Sequence, residues 1–146
     1  MNSTINLIFT IAGAALVLLT AYGAMRSDRK LFLSGLFYFS FLPLIGEGMA
    51  YNADKASVHV IVIFVFLVQL VLALPNNISY GPDNVAATKL AAKVALAFLL
   101  INIGGVVYIF CLNSGVPVQF GYYHVVFALV LLYLIIKRMN GGSWTK

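Results

Sequence analysis

The sequence predicts an all-α polytopic membrane protein, a bundle of about five transmembrane helices with its N-terminus outside and its C-terminus in the cytoplasm. Three observations lead there: the composition, the spacing of long apolar runs, and the placement of the basic residues. Of 146 residues, 62% are hydrophobic and 9% charged, with a mean hydropathy of +1.00. A soluble domain is about half apolar and about a quarter charged, so a chain of this composition cannot present a water-facing surface.

A helix crossing about 30 Å of hydrocarbon needs roughly 20 mostly apolar residues. Runs of that length fall at roughly 5–25, 31–50, 57–75, 88–112 and 119–138, with polar or glycine-containing breaks between them. They leave room for one domain, 1–146, and no soluble module. With five spans, Arg26, Arg29, Lys30, Lys89, Lys93, Lys137, Arg138 and Lys146 gather on one side and leave only Lys55 on the other. Lys and Arg in short loops favour the cytoplasm, which sets the orientation. The net charge of +5 then suits anchoring beside anionic headgroups and calls for no nucleic acid.

The first span, INLIFTIAGAALVLLTAYGAM, lacks a basic leader and is longer than a secretory signal core. Thr10, Gly13, Ala14, Val17, Thr20, Ala21 and Ala24 share one helical face, a smooth surface of the kind that lets membrane helices approach closely. The second span carries Phe32, Phe37, Tyr38, Phe39 and Phe41 on several faces. Five helices cannot bury all of these, so some meet lipid, a cofactor or a partner. The third span is rich in β-branched residues, but an isolated strand in lipid would leave its backbone unpaired, and helix is expected. The long break after Pro75 offers Asp83 or Asn84 as N-caps of the fourth span. That span has a stripe of Ala91, Ala95, Phe98, Asn102, Gly105 and Ile109. Asn102 therefore faces protein, and Gln69 is its counterpart on another helix seam. Cys111, the only cysteine, is expected to be a buried, inert thiol. The sequons NST and NIS carry little weight, and Trp144 in the basic tail reads as an interface anchor.

Most remaining polar side chains collect at the outer ends of the spans. Glu47, Tyr51, Asp54, His59, Tyr123 and His124 form the candidate outer cluster, together with Asn52, Lys55, Asn113, Gln119 and Tyr122. Glu47, the only glutamate, lies between Gly46 and Gly48 and four residues after Pro43. Proline removes a backbone donor and disturbs the carbonyl of Phe39, a loss that Ser40 can partly offset. If the helix ends near Gly46, Glu47 is interfacial. If it runs to Tyr51, Glu47 is buried and needs a partner such as His59, Lys55 or a tyrosine. The proline bend favours the interfacial version.

These residues support three functional expectations. The first is a non-catalytic accessory or scaffold subunit of a larger assembly in a bacterial inner membrane, with other membrane subunits or further copies of itself as partners and no cofactor. Its basis is the scarcity of polar lining and of nucleophile, phosphate-loop or HExxH motifs. The second is a small oligomeric transporter or channel coupled through Glu47, weakened by the odd span number and the absence of repeat symmetry. The third is a haem- or quinone-binding redox subunit using His59 and His124 as ligands, or a metal site on Glu47 and both histidines.

Overall fold

A computed structural model describes residues 3–75, 85–112 and 114–139. They form five helices: α1 (Ser3–Met25), α2 (Arg29–Asp54), α3 (Ser57–Leu72), α4 (Val85–Cys111) and α5 (Val118–Met139). Four of them are long and apolar enough to cross a membrane, which is consistent with an integral membrane protein. The β-branched third run is indeed helical. With 16 residues it rises about 24 Å, shorter than its neighbours. The candidate caps Asp83 and Asn84, the helix end at Asn113, both sequon asparagines and Trp144 lie outside the described residues.

Packing runs in the order α3, α2, α1, α5, α4, with extensive contact at each of the four seams and only sparse contact between α3 and α4, where the ring would close. Two glycines set the tightest seam. A methyl group at Gly35 would overlap the Thr20 hydroxyl and come within 2.9 Å of the Thr20 nitrogen. One at Gly23 would run into the backbone of Phe32. The small-residue face of α1 is therefore in use, with Gly13, Val17, Thr20, Gly23 and Ala24 buried. Ala14 and Ala21 are half-buried at its margin. The sequence reading missed Gly23 and Gly35, the pair that brings backbone to backbone.

The α1–α2 turn explains itself locally. Asp28 caps α2 by accepting a hydrogen bond from the Leu31 amide at 3.0 Å, and Ser27 takes a left-handed conformation, φ 57°. Lys137 near the end of α5 donates to Ser27 Oγ at 2.7 Å. The basic first turn and the end of α5 thus share one end of the bundle, as five antiparallel helices require. The core running from that end includes Ala24, Phe32, Leu33, Leu36, Phe98, Phe127, Leu131 and Leu134, with Phe39 stacking edge-on to Phe127 at 4.5 Å. Of the aromatic run, Phe32 and Phe39 are buried while Tyr38 and Phe41 face outward. Cys111 is exposed, contrary to expectation. An apolar run in a membrane helix has lipid as an alternative to a core, so hydrophobic surroundings in sequence did not imply burial.

Overpacking a tight seam costs about 1–3 kcal/mol. Gly35→Ala should lower the detergent-unfolding free energy by about that amount, whereas Gly48→Ala, where an added methyl meets nothing within 4 Å, should not lower it. Equal losses at the two sites would refute close backbone approach as the reason for Gly35.

Candidate functional site

Glu47 is buried within the bundle, not exposed at a helix end. α2 continues without interruption through Pro43, Gly46 and Gly48 to Asp54, and Glu47 is 6% exposed. The proline did not end the helix because packing of α2 against α1 and α3 holds it together. Ser40 does not serve the Phe39 carbonyl; its hydroxyl donates to Leu36 O at 2.8 Å and accepts from Gln69 Nε2 at 3.0 Å. This ties α2 to α3 through two fully buried polar side chains.

The partner that buried Glu47 requires is His59, in the first turn of α3. Glu47 Oε2 lies 2.5 Å from His59 Nδ1, and His59 Nε2 lies 3.1 Å from Asp54 Oδ2. Asp54 is itself held at the turn by the Ala56 amide at 2.8 Å, and its carboxyl is exposed. An ionised carboxylate only accepts, and a neutral imidazole has one N–H. With a carboxyl oxygen at each ring nitrogen, either the ring is an imidazolium or one carboxyl keeps a proton. Asp54, His59 and Glu47 therefore form a chain that holds one proton beyond a neutral ring with two carboxylates. It leads from the exposed turn to the buried carboxyl.

His124 belongs to a different set. On the α4–α5 seam its Nδ1 lies 2.9 Å from Asn102 Oδ1, while Asn102 Nδ2 donates to Phe98 O at 2.8 Å. Gly105 makes room for the ring, since a methyl there would lie 2.7 Å from it. Phe39 and Phe66 flank the ring at 5.7 and 5.8 Å. The expected grouping of Glu47, His59 and His124 is thus divided between two helix pairs. Among the described residues no three metal-ligating side chains are grouped to hold an ion. Iron bound at either nitrogen of His59 would have to displace the carboxyl that now occupies it, Glu47 at Nδ1 or Asp54 at Nε2.

What the two sets share is a cavity of about 970 Å³. Its walls are α2 and α3 on one side, including Glu47, His59, Val62 and Val65, and α4 with His124 of α5 on the other, including Ile101, Gly104, Gly105 and Tyr108. Residues 114–117 of the α4–α5 connection line it at the Asp54 end. The Phe98–Phe127–Leu131 core lies beyond it, toward the Arg26 end. The loose α3–α4 seam lies between its two walls. The volume is that of a ligand pocket, and a mostly apolar lining with a few convergent polar groups is the usual character of one.

Two members of the expected cluster lie elsewhere. Tyr51 is exposed, with Lys55 Nζ 5.2 Å from its ring centre. Tyr123 donates to Thr10 O at 2.8 Å and seats its ring against Gly13, next to Gln119, which reaches Asn6 and Thr10 at 3.3 Å. It serves the α1–α5 seam. Conversely, sequence reasoning missed Tyr108 and Gly104. Tyr108 follows Ile101 and Gly105 at helical spacing on the stripe that carries Asn102, a signal that was available.

Groups in one hydrogen-bonded network couple by about 0.5–3 kcal/mol. A double-mutant cycle of Glu47→Ala and His59→Ala in detergent unfolding should give a coupling of about 1–3 kcal/mol, while Glu47→Ala paired with His124→Ala, which share a cavity but no hydrogen bond, should couple more weakly. Strong coupling in the second cycle would mean that the two histidines form a single cluster after all.

No protein-family model, no curated protein and no solved structure matches this chain.

Proposed function

We propose that the protein is a membrane-embedded binding protein that takes a small, largely apolar molecule from the outer leaflet of a bacterial plasma membrane. The cavity of about 970 Å³ carries this reading. It is large enough for a drug-sized molecule, and the sparse contact between α3 and α4 offers a sideways entrance from lipid. The orientation adopted is N-terminus outside and C-terminus in the cytoplasm, supported by the basic residues at the Arg26 end. The Asp54 end then faces outward, and Asp54 and His59 give the buried Glu47 carboxyl a proton path to outside water.

One feature favours a second reading, the accessory subunit expected from sequence. A seam as loose as α3–α4 also suits a helix from a partner subunit, which would fill the same cavity. The two readings differ in what occupies it.

Gly104 separates them, because a side chain added there meets nothing within 4 Å and projects at the cavity wall. In nanodiscs, a photoreactive long-chain alkyl probe should label Val62, Val65 and Tyr108 more than the outward-facing Leu18 and Val71. Gly104→Phe should reduce that cavity labelling about tenfold, equivalent to about 1.4 kcal/mol of binding. Labelling that ignores the cavity would defeat the binding reading. A cross-link from position 104 to another membrane protein in native membranes would favour the subunit reading.

A further inference from the structure

We propose that His124 is the acceptor for a hydroxyl group on the molecule that occupies the cavity, so that the ligand class is an apolar alcohol or phenol inserted hydroxyl-first. The inference rests on the binding reading above and adds the chemistry of the ligand's buried end.

The argument begins with Asn102. Its Nδ2 lies 2.8 Å from the Phe98 carbonyl, the group four residues earlier on the same helix. A carbonyl only accepts, so the nitrogen of the amide must be on that side and the amide cannot be turned over. Its oxygen therefore faces His124 Nδ1 at 2.9 Å, and two acceptors cannot share that contact. Nδ1 must carry the proton. In a neutral ring the lone pair is then on Nε2, which points away from Asn102.

Nε2 has no hydrogen-bond partner among the described residues. His124 is 4% exposed and lines the cavity. The ring that carries Nε2 is flanked by Phe39 and Phe66. Among the described residues no carboxyl bonds to this ring; Glu47 and Asp54 bond to His59. An uncompensated charge here would be costly, so the ring offers an acceptor and not a second donor. An acceptor without a partner among the described residues, on a ring that lines the cavity, favours a ligand that brings a donor, and the apolar walls around it favour a ligand that is otherwise hydrocarbon. A hydroxyl meets both conditions. Asn102 is a positioning residue in this scheme, holding the tautomer.

The test uses a 4-alkylphenol and its methyl ether, which differ by the one donor, added to the intact protein in nanodiscs. The phenol should bind about tenfold more tightly than the ether, the value of one hydrogen bond. His124→Phe, which keeps an aromatic ring against Gly105, should erase the difference by weakening the phenol alone. Nitrogen NMR of the wild-type protein with labelled histidine needs no variant. It should show Nδ1 protonated before ligand is added, and an Nε2 resonance that moves with phenol and not with ether. Equal binding of the two compounds, with the ether still excluded by Gly104→Phe, would overturn the role of His124 while leaving the cavity reading intact. Binding of neither compound would remove the cavity reading and this inference with it. A haem Soret band on adding hemin, lost in His124→Phe, would show Nε2 to be an iron ligand and overturn the hydroxyl assignment.

Discussion

A carboxyl group in the apolar part of a helix bundle is stable only with a partner, and Glu47 finds its partner on the next helix. The Glu47–His59 contact links α2 to α3 near one end of their seam, and Ser40–Gln69 links the same two helices nearer the other. Two buried polar contacts at different heights define the register of the pair, because a shift by one residue would strand both sets. Hydrocarbon surroundings supply little hydrophobic drive between helices. Register is therefore set by these contacts and by the close approach of small residues on the α1–α2 seam.

The opposite arm is built on the same logic with a different result. Asn102 and His124 join α4 to α5 as Ser40 and Gln69 join α2 to α3. Each arm is internally tied, and α1 bridges them through α2 and α5. Among the described residues nothing comparable joins α3 to α4. A bundle with four strong seams and one weak one has a natural place for a cavity, and the polar ties lie along its walls because they belong to the arms on either side. The α2–α3 tie has both of its imidazole nitrogens occupied; the α4–α5 tie leaves one without a partner among the described residues. The two histidines are therefore unlike chemically, although both are buried and both face the same space.

The sequence singled out several residues that the fold places on helix seams or at the cavity wall, for reasons specific to each. Asn102 and Gln69 stood out because amides inside apolar spans must face protein. Glu47 and His59 stood out as ionisable groups near span ends, and the need for a partner was explicit if the helix continued. The decision against continuation came from Pro43, followed by the glycines that flank Glu47, local signals that tertiary packing overrode. Tyr123 was grouped with the polar cluster by height, but its ring and hydroxyl turned to α1, a matter of rotation about the helix axis. Tyr108 went unnoticed although its helical spacing from Ile101 and Gly105 was legible, because only the opposite wall shows that this stripe faces a cavity.

Composition, run length and charge placement determined by themselves that the chain is helical, divided into five apolar segments, and basic at one end. These properties depend on neighbours along the chain and on the requirement that backbone groups pair within each segment in lipid. Only the tertiary structure decided that α2 runs on past its proline, that Glu47 lies under His59, and that His124 has a nitrogen without a partner among the described residues beside a cavity. Those outcomes depend on the angle and height at which separate helices meet. They are set by pairs such as Gly35–Thr20 and Gly105–His124, whose members are far apart in sequence and become partners only once the helices are packed.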